Sequence, residues 1–192
     1  MKPGALVGTS SARRQSQILA AFPEANIKLL RCNVNTRIKR LDEGVFDAIV
    51  LATSGLERLG LGNRIAQRIP IEICLPSAGQ GALGIECRKD DEFIELIKPL
   101  NHDLSEKCVN MEKEFVGLLN GSCSLPIGCH ARLFDNNKSI KCEGFVGSLD
   151  GKVTLRDKVT EAFDDSSNLS DQLYKKLIEA GAMELLEETN DN

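Results

Sequence analysis

The rhythm of hydrophobic and polar positions changes partway along the chain. Up to Leu59, short apolar runs alternate with helix-length amphipathic segments. Leu6-Val7 reads as the end of a strand, Gly8-Thr9-Ser10-Ser11 as a tight turn, and Ala12 to Ala21 as a helix closed off by Pro23. Ile27 to Arg31 predicts a second strand, and Thr36 to Leu41 a helix that stops near Gly44. Asp47 to Ala52 is a nearly unbroken apolar run, the pattern of a strand covered on both faces. Ser54 to Leu59 starts another helix before Gly60 and Gly62. Such alternation predicts an α/β unit around a mostly parallel sheet.

The pattern then shifts. Ser77 to Gly81 is turn-rich, and Gly79-Gln80-Gly81 is a hinge candidate. Leu83 to Cys87 predicts a strand and Phe93 to Leu100 a short helix. Asp103 and Glu106 have capping-box spacing before a long helix with an apolar stripe of Leu104, Cys108, Met111, Phe115, Leu118 and Leu119. That helix ends at Asn120-Gly121. Cys129 to Phe134, Ser139 to Val146 and Lys152 to Val159 read as strands. The turn signals Asn136-Asn137 and Asp150-Gly151 between them predict antiparallel pairing. Leu169, Leu173, Leu177 and Ile178 mark a last helix, and Glu187 onward reads as a frayed end. The second half is thus expected to be a small α+β domain with a three-stranded antiparallel sheet.

Composition narrows the function classes. The 192 residues suffice for one large domain or two small ones. A net charge of -4, no Trp and one Tyr argue against a nucleic-acid binder. No apolar run is long enough for a membrane span. Seven scattered Cys without a CxxC pair fit a reducing, cytoplasmic setting rather than a disulfide scaffold. No metal-ligand spacing stands out.

Three features carry candidate chemistry. Arg13 and Arg14 fall in the first turn of the first predicted helix, where partial positive charge already resides and acids are favoured. Two cations there, after the hydroxyls of Thr9, Ser10 and Ser11, point to a bound anion; the competing reading is a pair of solvated surface arginines. Arg31, at the end of the second predicted strand, and Arg37, in the helix after it, can converge on the same cleft, because ligands of parallel α/β sheets sit at the carboxyl ends of strands. Arg58 can join them or form a surface ion pair. Several guanidiniums suggest a ligand with several carboxylates. Finally, Cys123 sits in the loop Asn120-Gly-Ser-Cys-Ser-Leu-Pro-Ile-Gly128, where Gly121 and Gly128 allow unusual backbone angles and Pro126 stiffens the chain. Such a loop suits a reactive thiolate; the alternatives are an ordinary buried cysteine, or a dyad of Cys123 with His102 or His130.

Five stretches, VGTSSARRQ (7–15), LRCNVNTR (30–37), DAIVLATSGLERLGL (47–61), LPSAGQGALGIECR (75–88) and NGSCSLPIG (120–128), resemble porphobilinogen deaminases (hydroxymethylbilane synthases) in order and spacing over nearly the whole chain. The resemblance implies a partial second domain of periplasmic-binding-protein-like α/β type over residues 1–78. It implies a hinge and return segment toward the first domain over 79–99, and a third, cofactor-attachment domain over 100–192. It implies a dipyrromethane cofactor held by a thioether at Cys123. Ser11, Arg13, Arg14, Arg31, Arg37 and Arg58 would hold the acetate and propionate groups of cofactor and substrate, and Gly79, Gln80 and Gly81 would be the hinge. The implied partners are porphobilinogen, the growing pyrrole chain and a first domain not contained in this chain; full-length members are usually monomeric. The implied reaction joins four porphobilinogens with loss of ammonia. The family's catalytic aspartate lies in a Ser-Leu-Lys-Asp motif that these residues lack, so the chain alone is expected to be inactive. Cys32, Ser122 and Lys113 depart from the family's usual Gly, Gly and Arg. A rival from another class is a non-catalytic anion-binding module of periplasmic-binding-protein type, which would leave the Cys123 loop without a role.

Overall fold

The computed structural model describes residues 1–89, 92–122 and 124–190. β1 (Leu6–Thr9), α1 (Ala12–Ala21), β2 (Asn26–Leu29), α2 (Val34–Asp42), β3 (Ala48–Ile49) and α3 (Thr53–Arg58) follow one another as strand–helix units. The strands form a parallel sheet in the order β2-β1-β3, with Val7 opposite both Ile27 and Ala48. Each helix start has a sequence-encoded cap where the side chain permits one. Ser11 Oγ accepts from the Arg14 N–H, and Asn33 Oδ1 from the Thr36 N–H. Val7, Ile18, Leu30, Ile38, Phe46 and Leu56 form the core between sheet and helices.

After a short helix α4 (Ile94–Ile97), the second half builds α5 (Asp103–Leu118), β4 (Ile127–Phe134), β5 (Ser139–Gly147), β6 (Thr154–Ala162), α6 (Leu169–Glu179) and α7 (Ala182–Asn190). The sheet is antiparallel in the order β4-β5-β6, with Ile127 opposite Val146 and Ser139 opposite Ala162. The Asp135-Asn136-Asn137 turn takes positive φ at all three residues, a conformation that Asn and Asp tolerate. Strand alternation sorts the faces. Ile140, Cys142 and Val146 face a core that Phe115 of α5 and Leu173 and Leu177 of α6 complete. Phe145 and Gly147 point to the other face, where α1 lies. Cys129 N–H donates to the Pro76 carbonyl at 3.2 Å, and Gln15 Nε2 to the Leu149 carbonyl at 3.1 Å, so the two halves share backbone contacts.

The chain is therefore mixed α/β, with one parallel and one antiparallel three-stranded sheet, as the patterning predicts. Several expectations need correction. β2 ends at Leu29, so Arg31 lies two residues beyond the strand. The apolar run from Asp47 contributes only Ala48–Ile49 to the ladder, and these are half-buried: no strand among the described residues pairs on the far side of β3. Leu83 to Cys87 forms no strand. No strand among the described residues pairs with it, and Leu83 and Ile85 are 74% and 59% exposed. His102, not Asp103, caps α5, its Nδ1 accepting from the Ser105 N–H, while Glu106 takes the Asn101 amide. The tail expected to fray from Glu187 continues as α7, because Leu185 and Leu186 are buried against the core; Asp191 and Asn192 lie outside the described residues. No helix among the described residues is long and apolar enough to cross a membrane.

Candidate functional site

A cavity of about 1400 Å³ opens along β3 and the residues that follow it, takes in Arg13, Arg14 and Ile18 of α1, and runs to the flank of α5. Arg13 and Arg14 both line it. Their environments differ because neighbouring residues of a helix point in directions about 100° apart. Arg13 is 5% exposed. Its guanidinium donates to the Leu75 carbonyl and, at 3.4 Å, to Gln80 Oε1. Gln17, one turn on, clasps the same residue from both sides, with Oε1 accepting from the Leu75 N–H at 2.8 Å and Nε2 donating to the Leu75 carbonyl at 3.2 Å. Arg14 reaches the other way, donating to the Val50 carbonyl just past β3 at 3.0 Å.

The electrostatics are lopsided. Among the described residues, no carboxylate pairs with Arg13, Arg14, Arg31, Arg37 or Arg58, whereas Arg64, Arg68 and Arg156 each have one. Burial lowers the pKa of Arg13. Burial, together with the positive charges of Arg13 and Arg37, pushes Arg14 down to about 10. A cation held below its ordinary value by desolvation and like charge is one that a bound anion would stabilise. Arg37, on α2, donates Nε–H to the Cys32 carbonyl at 2.8 Å. Arg14 is thus within range of both Arg13 and Arg37. Arg31 is exposed, as is Arg58 at the far end of α3, and neither of them, nor Arg37, lines the cavity. Ser11 caps α1, its Oγ turned to the helix backbone.

Cys123 lies outside the described residues. Around it, Ser122 and Ser124 hydroxyls are 2.6 Å apart, and the buried Pro126 accepts from the Gly147 N–H. Among the described residues of this loop Asn120 is left-handed, at φ 50°, and Gly121 and Gly128, which allow unusual backbone angles, do not take a positive φ. At the hinge candidate, Gly79 does take φ 67°, and Gln80 Oε1 also accepts from the Ser77 N–H. The two histidines are engaged locally, His102 at its helix cap and His130 Nδ1 3.3 Å from Glu112 Oε1.

Two residues that motif reading passes over hold the site together. Glu112 is buried, and its carboxylate accepts from the Gly79 N–H at 2.6 Å and the Ala131 N–H at 2.8 Å. Its signal was available: it lies one turn from both Cys108 and Phe115, a charge beside an apolar stripe. Gln17, buried beside Ile18, gave no comparable sign. Cys74 sits 3.8 Å from Arg13 Nη1; burial pushes its thiol pKa up, although Arg13 and Arg14 pull the other way.

Comparison with known proteins identifies the family. Residues 1–96 match the family model described as porphobilinogen deaminase, dipyromethane cofactor binding domain, and residues 106–179 the porphobilinogen deaminase C-terminal domain. The porphobilinogen deaminase of Nitrosomonas europaea is 44% identical over 184 residues, which is 95% of this chain and 59% of that protein. That of Thiobacillus denitrificans is 43% identical over 97% of this chain and 61% of the relative, and that of Brevibacillus brevis 46% over 96% and 59%. The chain spans about three-fifths of the length of these curated relatives, and it belongs to the porphobilinogen deaminase family.

Proposed function

We propose that this chain is the part of a porphobilinogen deaminase (hydroxymethylbilane synthase) that anchors and orients the pyrrole chain while four porphobilinogens are joined with loss of ammonia, in tetrapyrrole biosynthesis. The observation that carries the reading is that Arg13 and Arg14 in the first turn of α1, with Arg37 of α2 in range of Arg14, pair with no carboxylate among the described residues. A dipyrromethane bearing acetate and propionate groups fits that charge, and its thioether would be to Cys123. When bound, it supplies the pyrrole carbon from which the chain grows. Arg14 and Arg37 receive carboxylates, with Arg31, Arg58 and Ser11 at the periphery of the same ligand. Arg13 adds positive potential from below while its hydrogen bonds hold residues 75 to 80 in place. Fixing the rings by several bidentate contacts converts encounter into orientation, the term such a site supplies most cheaply.

The division into a periplasmic-binding-protein-like α/β unit (1–78), a hinge and return segment (79–99) and an attachment domain (100–192) belongs to the same proposal. Leu83, Ile85, Phe93, Leu96 and Leu100, all exposed, would be the face that meets the remainder of the enzyme. The Ser-Leu-Lys-Asp segment is not among these residues, so the chain alone should consume no porphobilinogen; measurable consumption by the purified chain would refute that. Attachment is tested by incubating the chain with hydroxymethylbilane and reading intact mass and the Ehrlich colour reaction. An adduct is expected that Cys123→Ser abolishes. An adduct surviving that change would remove Cys123 from its role, and sulfate binding without any pyrrole binding would favour a simple anion-binding module.

A further inference from the structure

α1 is gripped by the second half of the chain at three successive levels of one helix stripe. Arg13, Ser16 and Ala20 follow i, i+3, i+7 spacing, and each faces a glycine. A Cβ on Gly128, at the start of β4, would stand 3.1 Å from Arg13 Cδ and 3.1 Å from Leu75 Cβ. A Cβ on Gly147, at the end of β5, would overlap Ser16 Oγ and also the ring of Phe145 on its own strand. A Cβ on Gly151 would stand 2.6 Å from the Ala20 nitrogen and 2.7 Å from the Ser16 carbonyl oxygen, helix backbone that cannot step aside. Gln15 adds its hydrogen bond to the Leu149 carbonyl. The β5–β6 turn that makes these contacts is internally braced. Ser148 N–H donates to the Val153 carbonyl at 2.8 Å, Val153 N–H to Ser148 Oγ at 3.0 Å, and Asp150 Oδ1 accepts from Ser148 Oγ and the Lys152 N–H.

We infer that Gly147 and Gly151 are positioning residues: the β5–β6 turn fixes the depth of α1, and so sets where Arg13 and Arg14 stand relative to β4. Glycine is required because the helix backbone lies against the turn at a separation that leaves no room for a methyl group. A side chain at 151 displaces α1 away from β4, and Arg14 with it. The functional half of this inference, that the displacement matters for carboxylates, rests on the reading proposed above.

The test uses the full 192-residue chain labelled at arginine Nε. Gly151→Ala is compared with Gly4→Ala, a residue at similarly positive φ (72° against 71°) with nothing within 4 Å of an added Cβ, so the two share backbone strain but not the collision. Gly151→Ala is expected to shift the Nε–Hε resonances of Arg13 and Arg14, leave that of Arg64 in place, and weaken porphobilinogen binding about ten-fold or more; Gly4→Ala should do none of these. A folded Gly151→Ala chain with Arg13 and Arg14 resonances at their parent positions overturns the inference. If that variant does not fold, Gly147→Ala and Gly147→Ala/Ser16→Ala decide, both made in a Phe145→Leu background so that only the Ser16 contact differs: recovery of the background spectrum when Ser16 is replaced supports the contact, and the same altered spectrum in both refutes it. A parent chain that binds no porphobilinogen sinks the functional reading alone, because the arginine resonances still report the geometry.

Discussion

At the scale of single residues, the cysteines separate into two groups. Burial pushes the thiols of Cys74 and Cys108 up, and Cys129 is pushed well up by its Sγ contact with Cys142 at 3.5 Å and by burial. Cys87 is exposed. Thiolate, not thiol, is the nucleophile, so brief iodoacetamide treatment at neutral pH should label Cys87 well before Cys129; equal rates, read by peptide mass mapping, would contradict the packing described. The same shifts set a pH dependence. Below about pH 9 these thiols are protonated in both states; above it the unfolded chain ionises first and binds fewer protons, so stability must fall as pH rises. Denaturant midpoints between pH 8 and 10 measure this, and replacing Cys129 with Ala should flatten the slope. Ser16 presents the opposite case: its buried hydroxyl has no hydrogen-bond partner among the described residues. Ser16→Ala removes an unmet polar group, and a gain of about 1 kcal/mol in unfolding free energy is expected. A loss of that size would mean that the hydroxyl is satisfied after all.

Among elements, Glu112 makes the sharpest prediction. One carboxylate on α5 joins Gly79 to Ala131 of β4, so it ties the hinge candidate to the antiparallel sheet. Glu112→Gln keeps the shape but turns one acceptor into a donor facing an N–H, at a cost of about 1–3 kcal/mol. Hydrogen exchange should quicken at Gly79 and Ala131 before it does in α6; uniform acceleration would assign Glu112 to global stability instead. The sequence shows Glu112 as a charge beside an apolar stripe but not the two N–H groups it joins, although much of the framework was legible. α1 was readable to its ends because Ser11 caps it and Pro23 forbids continuation. The β4-β5-β6 meander was readable because alternation and Asn/Gly turns are local signals. Leu83 to Cys87 was misread for the converse reason: a strand is a pairing, and its composition cannot say whether a partner strand lies beside it. Motif reading likewise found Arg13 and Arg14 together, but it could not see that one guanidinium turns inward to Leu75 while the other reaches Val50.

For the molecule as a whole, the two halves are unequal partners. The core that unites Phe115, Ile140, Leu173 and Leu186 is drawn entirely from residues 111 to 186, a closed set that buries its own apolar surface. The first half has no such independence. Arg13, Ser16 and Gln17 of α1 are buried polar side chains, and what covers them comes from residues 74–80, from Gly128 and from the β5–β6 turn. Arg156 adds to that dependence, bonding the Ile71 and Glu72 carbonyls while pairing with Glu143. A buried guanidinium stripped of its acceptors costs several kcal/mol, a sizeable share of any small domain's stability. Residues 101–190 expressed alone should therefore unfold cooperatively and protect the β4–β6 amides. Residues 1–81 alone should lack a cooperative transition, and adding the 101–190 fragment should restore one only if the α1 face re-forms. Gly151→Asn in the added fragment, a residue that tolerates the positive φ of this position, should block that recovery while leaving the fragment's own transition cooperative. An independently stable 1–81 segment would show that the parallel sheet, not the contact with β4 and β5, keeps the arginine helix in place.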